Sequence, residues 1–262
     1  MNQKTGGEKP FILVAEDHVV NQNLYSLILT KLGYDYILAN DGADALEKAQ
    51  EREPDLVFMD IQMPKINGYE AAKILRGRGY KKAIIAVTAS TLQDEFENCK
   101  NAGMNDVLIK PFKLTDIKAI LQNFAILKQE VKEEPVPLTS KKASKPDYIF
   151  DAAGMLDTFM NNEKAALPLL SRFIERTRGQ LEKFPALKEA DNWESARREA
   201  HTIRGAALTM GGTELGNAAG CLEQACVNAD KAAVDAAFPS VCEAFANFKR
   251  EAESYILSRE PG

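Results

Sequence analysis

Two side chains of this chain combine a residue type and a sequence context that suit the transfer of a phosphoryl group. Asp60 lies in the run LVFMDIQMP, and His201 lies in the run AHTIRGAA. A carboxylate can accept a phosphoryl group as a mixed anhydride, and an imidazole nitrogen can accept one as a phosphoramidate. Two acceptors of different chemistry in one polypeptide predict a relay rather than a single switch.

Five polar side chains follow the ends of four predicted strands: Glu16, Asp17, Asp60, Thr88 and Lys110. Ligands of open α/β sheets bind at the carboxyl ends of the strands, so these side chains are expected to share one pocket. Mg²⁺ prefers oxygen ligands and bridges to phosphate, which predicts that the three carboxylates hold Mg²⁺. Lys110 would contact a second phosphoryl oxygen and Thr88 a third. In the alternative interpretation, the acidic residues only cap helices.

His201 belongs to a predicted amphipathic helix whose apolar stripe faces a helical bundle. The stripe has spacings of three and four residues and consists of Trp193, Ala196, Ala200, Ile203, Ala207 and Met210. At about 100° per residue, His201 falls roughly 130° from the centre of the stripe, so we expect it to face solvent. The predicted environment of the phosphohistidine consists of its helical neighbours Arg197, Arg198, Arg204 and Gly205. The competing interpretation is a solvated histidine on an ordinary helix.

The elements that position Asp60 alternate between strand and helix patterns. The predicted strands are 11–15, 36–39, 56–59, 83–87 and 107–109, and the predicted helices are 21–32, 43–52, 69–75, 92–102 and 114–128. Five strands that alternate with five helices predict an α/β fold, a doubly wound five-stranded parallel sheet. His18 follows the acidic pair at a helix start and is interpreted as a surface or capping residue rather than a ligand.

The second half of the chain has a different pattern. Residues 1–9 are predicted to be a polar tail, and the charged, proline-containing stretch 129–147 a linker. From residue 148 to 258 helical periodicity replaces the alternation, which predicts an all-α bundle. Pro168 and Pro185 are expected to bend or break the helix that contains them.

Composition limits the function classes. The chain has 262 residues, enough for two domains, and a net charge of −5 that argues against nucleic acid as a partner. No apolar run has the length of a membrane span, and the polar start lacks a signal peptide pattern. The four cysteines show no zinc-ligand spacing and are expected to be buried small residues in a reducing compartment, which favours a cytoplasmic location.

Residues 10–128 resemble the receiver domains of two-component response regulators. The resemblance is carried by Glu16-Asp17, MDIQMP around Asp60, Gly68, Thr88-Ala89 and the run Lys110-Pro111-Phe112. It implies a flavodoxin-like fold in which Asp60 is the phosphoacceptor and Asp17 and Asp60 are direct Mg²⁺ ligands. It also implies that Glu16 acts through water and that Gln62 contributes its backbone carbonyl. The chain has Val107 where many such domains have an aromatic switch residue, so an aromatic rotamer switch is not expected.

Residues 148–258 resemble histidine phosphotransfer (HPt) domains. The signature is AHTIRGAALTMG, with Arg204 in the usual place of a lysine, and the runs FDAAGMLDTF and LGNAAGCLEQAC extend the likeness on both sides. The resemblance implies an antiparallel helical bundle with an exposed phosphorylatable histidine at position 201.

Together these features predict a phosphorelay intermediate of two-component signalling. A partner sensor histidine kinase would phosphorylate Asp60. His201 would give the phosphoryl group to an aspartate of another receiver protein or accept it from one. No ATP-binding motif is present, so the chain is predicted to be a phosphotransfer protein and not an autonomous kinase, although it could be the C-terminal part of a hybrid kinase. The alternative is a phosphorylation-gated protein-binding module in which His201 accepts nothing. Whether Asp60 and His201 of one molecule exchange the phosphoryl group is open.

Overall fold

The computed structural model forms two compact units and describes residues 10–89, 93–124 and 148–259. The predicted polar tail 1–9 and the predicted linker 129–147 lie outside the described residues. The same is true of residues 125–128, where the last predicted helix of the first unit was expected to end. The boundaries 10–128 and 148–258 therefore stay predictions.

The first unit contains the predicted five-stranded parallel sheet. Its strands are β1 (Phe11–Ala15), β2 (Asp35–Ala39), β3 (Leu56–Asp60), β4 (Ala83–Thr88) and β5 (Asp106–Ile109). They lie in the order β2-β1-β3-β4-β5 with parallel neighbours throughout. Because β1 and β3 are central and their side chains are buried on both faces, these strands have continuous apolar sequences. The predicted fold class is confirmed.

Helices connect the strands and cover the sheet. They are α1 (Val19–Leu32), α2 (Gly42–Glu51), α3 (Gly68–Gly77), α4 (Gln93–Asn101) and α5 (Leu114–Asn123). Leu13, Val57 and Ile84 project from one face of the sheet into a core that also contains side chains of α2, α3 and α4. On α1, Tyr25 packs its ring against Phe58 of β3, with ring centroids 5.2 Å apart.

The start of α1 shows how the chain leaves β1 after the acidic pair. His18 is the N-cap of α1, and its Nδ1 accepts a hydrogen bond from the backbone N–H of Val20 at 3.2 Å. The capping interpretation is therefore confirmed. The surface interpretation is wrong, because the side chain is only 2% exposed.

The second unit contains only helices among its described residues. They are α6 (Ala152–Thr158), α7 (Glu163–Glu189), α8 (Trp193–Thr209), α9 (Thr213–Val227) and α10 (Lys231–Leu257). Short connections join the last four, as expected for antiparallel neighbours in a bundle. The predicted stripe on α8 is buried from Ala196 to Met210, whereas Trp193 is partly exposed.

Two local predictions for the rest of the chain need correction. Pro168 and Pro185 do not break α7, which is continuous across both residues, and the predicted bend stays a prediction. A proline inside a helix costs about 3 kcal/mol, but the apolar side chains that α7 buries against the bundle outweigh this cost. The cysteines are not uniformly buried: Cys99 and Cys226 are buried, Cys242 is half-buried and Cys221 is exposed.

Candidate functional site

Three carboxylates meet at the carboxyl edge of the sheet. β1 and β3 are in register through Ala15 and Met59, so Glu16 and Asp60 follow at the same level of two neighbouring strands. One carboxylate oxygen each of Glu16, Asp17 and Asp60 lies within 4.8 Å of the others. Glu16 and Asp60 are buried and Asp17 is half-buried. A donor set of three carboxylates fits a divalent cation with oxygen ligands.

Local hydrogen bonds fix the direction of these carboxylates. Oε1 of Glu16 accepts from Asn21 Nδ2 at 2.9 Å and from the backbone N–H of His18 at 3.2 Å. Oδ1 of Asp60 accepts from the backbone N–H of Gln62 at 3.2 Å. Nearby, the pKa of the Tyr25 hydroxyl lies well above its usual value. Burial is the main cause, and the negative charges of Glu16 and Asp60 add to it. The pocket therefore concentrates negative charge, which a cation would relieve.

The segment that follows Asp60 is held close to its neighbours by two glycines. A Cβ atom on Gly68 would lie 2.1 Å from the carbonyl oxygen of Asp60, and a Cβ atom on Gly42 would lie 2.2 Å from the carbonyl oxygen of Ile66. Lys65 adds an ion pair, with its Nζ 2.6 Å from Oδ2 of the buried Asp41. These contacts connect the segment after Asp60 to the start of α2.

Thr88 and Lys110 follow the next two strands. Thr88 ends β4 in register with Ile109, the last residue of β5, and Lys110 comes directly after it. Both side chains are buried. The Thr88 hydroxyl donates a hydrogen bond to Oε1 of Glu95 on α4 at 2.6 Å. The predicted roles of Thr88, Lys110 and the Gln62 carbonyl toward a phosphoryl group stay predictions.

The structure gives His201 a partner that the sequence did not predict, whereas the predicted exposure of its side chain on the helical bundle stays a prediction. Its Nδ1 lies 2.9 Å from Oε1 of Glu223 on α9, which packs alongside α8. The helical-wheel argument considered only the stripe that faces the bundle. It could not predict that a neighbouring helix also contributes a side chain to the face that carries the histidine.

Glu223 determines which imidazole nitrogen carries the proton. Burial raises the pKa of Glu223, but the hydrogen bond and charge of His201, together with the Arg204 guanidinium, lower it to about 2. Glu223 is therefore ionised at neutral pH and can only accept hydrogen bonds. Nδ1 of a neutral His201 must then carry the proton, which leaves the lone pair on Nε2.

Arg204 is held by the same carboxylate. Its Nη1 lies 3.1 Å from Oε2 of Glu223, so one carboxylate links the imidazole to the guanidinium. Gly220 on α9 provides the space, because a Cβ atom there would lie 3.3 Å from Nε of Arg204. Arg204 and Glu223 thus form a charge-balanced group with His201.

The remaining residues of the predicted histidine environment occupy different positions. Arg197 and Arg198 are half-buried on α8, and Nη2 of Arg198 donates to Oγ of Ser195 at 3.3 Å. Gly205, one turn after His201, is buried. Roles for these residues toward a phosphoryl group stay predictions.

Sequence reasoning missed Glu223 and Glu95. Glu223 lies in the run LGNAAGCLEQAC, but nothing in its spacing from His201 indicates contact, because the two residues are on different helices. Glu95 lies seven positions after Thr88 and belongs to the first turn of α4. A signal was present only in residue type: each is an acidic residue on an element next to a predicted site.

Comparisons with known families agree with the two units. Residues 12–122 match the model of the response regulator receiver domain, and residues 168–253 match the model of the Hpt domain. Among the described residues, no helix has both the length and the apolar character needed to span a membrane.

Two curated relatives are sensor proteins. Virulence sensor protein BvgS of Bordetella bronchiseptica is 30% identical over 222 residues, which are 81% of this chain and 18% of that protein. Sensor histidine kinase RcsC of Escherichia coli is 39% identical over 114 residues, which are 44% of this chain and 12% of that protein. The chain spans less than a fifth of the length of these relatives.

A solved structure similar to the first unit is the receiver domain of sensor histidine kinase PA1611 from Pseudomonas aeruginosa, with a magnesium ion coordinated in its active-site cleft. It is 39% identical, and the match covers 45% of this chain and 98% of that chain with a TM-score of 0.43.

Proposed function

Because the chain carries a response regulator receiver domain followed by an Hpt domain, we propose that it is a phosphorelay intermediate of two-component signalling. The observation that carries the proposal is the presence of two acceptor sites with different chemistry. Asp60 lies in a carboxylate cluster, and His201 has its Nδ1 fixed by Glu223. A protein with one acceptor of each kind can receive a phosphoryl group and pass it on.

At the first site, Asp60 is the proposed nucleophile. Its carboxylate oxygen forms the new O–P bond while the bond between phosphorus and the donor breaks, and the donor histidine regains its lone pair. Glu16, Asp17 and Asp60 would hold Mg²⁺, with the Gln62 carbonyl as a further oxygen ligand. When bound, Mg²⁺ supplies positive charge that neutralises the phosphoryl oxygens. Lys110 and Thr88 stabilise the remaining phosphoryl oxygens by charge and by hydrogen bonding.

At the second site, Nε2 of His201 is the proposed nucleophile. It forms an N–P bond as the O–P bond of a phosphoaspartate breaks, and the aspartate leaves as a carboxylate. The ring gains positive charge in this step while Nδ1 keeps its proton, and the Glu223 carboxylate stabilises that charge. Arg204, which contacts the same carboxylate as His201, would hydrogen-bond phosphoryl oxygens through its guanidinium group.

The proposed order is from a sensor histidine kinase to Asp60, then to His201, and from there to the aspartate of another receiver. BvgS and RcsC are named as sensor proteins, which supports a kinase as the donor. The reverse direction is chemically accessible, since both phosphorylated forms are high-energy. Because such kinases obtain the phosphoryl group from ATP, the proposal places the chain in the cytoplasm.

A labelling experiment tests the order. The wild-type chain and its Asp60→Ala and His201→Ala variants are incubated with a radiolabelled phosphorylated sensor kinase and Mg²⁺. Acyl phosphate is labile in base and phosphohistidine in acid, so the two species can be counted separately. We expect both species in the wild type, acyl phosphate alone in His201→Ala, and neither in Asp60→Ala.

The alternative function, a phosphorylation-gated binding module, predicts a different result. Label would then appear on Asp60 alone, His201→Ala would leave its amount and lifetime unchanged, and no label would reach a second receiver. Circular dichroism of each variant is the control for folding. Acid-labile label that persists in Asp60→Ala would contradict the proposed order and favour entry of the phosphoryl group at His201.

A further inference from the structure

The Thr88 hydroxyl is held by a carboxylate outside the Asp60 cluster. Thr88 ends β4 and is 1% exposed, and it donates to Oε1 of Glu95 at 2.6 Å. Glu95 is half-buried in the first turn of α4. A glutamate in a first turn is favoured by the helix dipole whatever it contacts. The helix dipole does not explain the short contact between Glu95 and Thr88, and that contact is the observation from which the inference starts.

The same carboxylate acts on two further side chains of this region. Burial and then the charge of Glu95 raise the pKa of the Cys99 thiol to about 11. The pKa of the Tyr69 hydroxyl also lies well above its usual value, mainly because of burial and in addition because of the negative charge of Glu95. Glu95 therefore contacts the end of β4 from α4, and its negative charge acts on Tyr69 of α3 and lies close to the pocket proposed to receive an anionic group.

Hydrogen-bond chemistry makes two partners of Thr88 mutually exclusive. A threonine hydroxyl has one proton and can donate to one acceptor at a time. The carboxylate of Glu95 and the oxygens of a phosphoryl group can only accept. If Thr88 donates to a phosphoryl oxygen on Asp60, its bond to Glu95 must break.

We propose that Glu95 is a positioning residue that competes with the phosphoryl group on Asp60 for the Thr88 hydroxyl. This inference rests on the proposed function of Asp60. In the unphosphorylated chain, Glu95 holds the hydroxyl and links the first turn of α4 to the end of β4. Phosphorylation exchanges the acceptor and releases that link. The exchange would transmit the state of Asp60 to α4 without an aromatic residue at the position of Val107.

The test measures phosphorylation of Asp60 by phosphoramidate and Mg²⁺ in the 262-residue chain carrying His201→Gln, so that only Asp60 is labelled. A carboxylate oxygen of Asp60 forms the O–P bond, the P–N bond breaks, and ammonia leaves. Glu95→Gln keeps the size of the side chain but replaces the charged acceptor with a weaker neutral one. We expect base-labile label to form about threefold to tenfold faster than with Glu95 present.

A double-mutant cycle with Thr88→Val isolates the competition from simple charge repulsion. Thr88→Val removes the hydroxyl and keeps the branched shape, so the acceleration caused by Glu95→Gln should largely disappear in that background. The matched control is Glu97→Gln, which removes the same charge from an exposed position on α4 and should leave the rate unchanged. Hydrogen exchange at the first turn of α4 should increase on phosphorylation when Glu95 is present, and should already be high in Glu95→Gln.

The outcomes separate the inference from the function on which it rests. An effect of Glu95→Gln that is equally large with and without the Thr88 hydroxyl would overturn the competition, and so would a rate that is unchanged in both Glu95→Gln and Glu95→Ala. A complete lack of base-labile label in folded protein, with Glu95 intact or substituted, would instead contradict the proposed role of Asp60. Glu95→Ala serves as a second variant if the glutamine still holds the hydroxyl.

Discussion

The two acceptor sites balance charge in opposite ways. Around Asp60, three carboxylate side chains approach within 4.8 Å of one another, and like charges crowd the pocket. Around His201, a carboxylate lies between an imidazole and a guanidinium, so opposite charges compensate one another within the protein. We therefore propose that the first site takes up a cation from solution before an anionic group enters, whereas the second is balanced by its own side chains.

The difference also follows from how each site is built. The carboxylates around Asp60 come from the ends of two parallel strands, and backbone register fixes their level. The His201 site requires only side chains from two packed helices, α8 and α9. The Asp60 site should therefore depend on a metal ion, whereas the His201 site should depend on one neighbouring side chain. Four measurements test this contrast.

Removal of Mg²⁺ should have the largest effect, and only at Asp60. With phosphoramidate as donor, we expect chelation by EDTA to slow formation of base-labile label by about 100-fold or more, because without Mg²⁺ the clustered carboxylates repel the phosphoryl group. Acid-labile label on His201, measured in the Asp60→Ala variant so that phosphoramidate can react only with His201 directly, should form at an unchanged rate. Asp17→Asn should weaken the Mg²⁺ dependence at Asp60 alone. Equal loss of both labels in EDTA would remove the contrast between the sites.

Loss of Glu223 should have the next largest effect, and only at His201. Glu223→Ala removes the acceptor that holds Nδ1–H, so we expect labelling of His201 to slow by about tenfold, equivalent to about 1.4 kcal/mol. Glu223→Gln should recover part of the rate, because its amide oxygen can still accept from Nδ1 but carries no charge to stabilise the ring. Glu214→Gln on the same helix is the matched control. A glutamine variant as slow as the alanine variant would show that charge, rather than orientation, is what Glu223 supplies.

Acid should destabilise the helical unit through Glu223. Its pKa in the folded chain is about 2, below the usual value of 4.5, so the stabilisation is present above the usual value and is lost as pH falls toward 2. We expect thermal unfolding of the helical unit to shift to lower temperature over this interval, by several degrees more in the wild type than in Glu223→Gln. Parallel acid profiles for the two proteins would contradict the assigned ion pair.

The smallest effect should come from the ion pair between Lys65 and Asp41. Lys65 is mostly exposed and screened by solvent, but it connects the segment after Asp60 to the buried cap of α2. We expect Lys65→Met to weaken Mg²⁺ binding by about twofold, measured by titration, because the carboxylates become less well fixed. Lys73→Met, on the exposed side of α3, is the control for loss of a positive charge. A larger loss with Lys73→Met would show that long-range charge, not the ion pair, controls Mg²⁺ affinity.

Sequence periodicity predicted the architecture well, because the burial of each helix or strand determines the pattern of apolar residues within that element. A strand covered on both faces must be apolar throughout, and this made β1 and β3 visible in the sequence. Local rules failed where packing overrode them. Pro168 and Pro185 lie inside a continuous α7, and Glu223 of a neighbouring helix contacts His201 although His201 lies away from the apolar stripe.

The sequence alone was enough to predict the two proposed acceptors, the sheet, and the grouping of polar residues at its carboxyl edge. Strands that alternate with helices are compatible with few sheet topologies, and in each of them the carboxyl ends of the strands lie at one edge of the sheet. Tertiary structure alone decided that Glu223 holds His201 and that Glu95 holds Thr88. Both contacts join different elements, and they depend on how the helices pack. The distance between two residues along the sequence does not predict that packing.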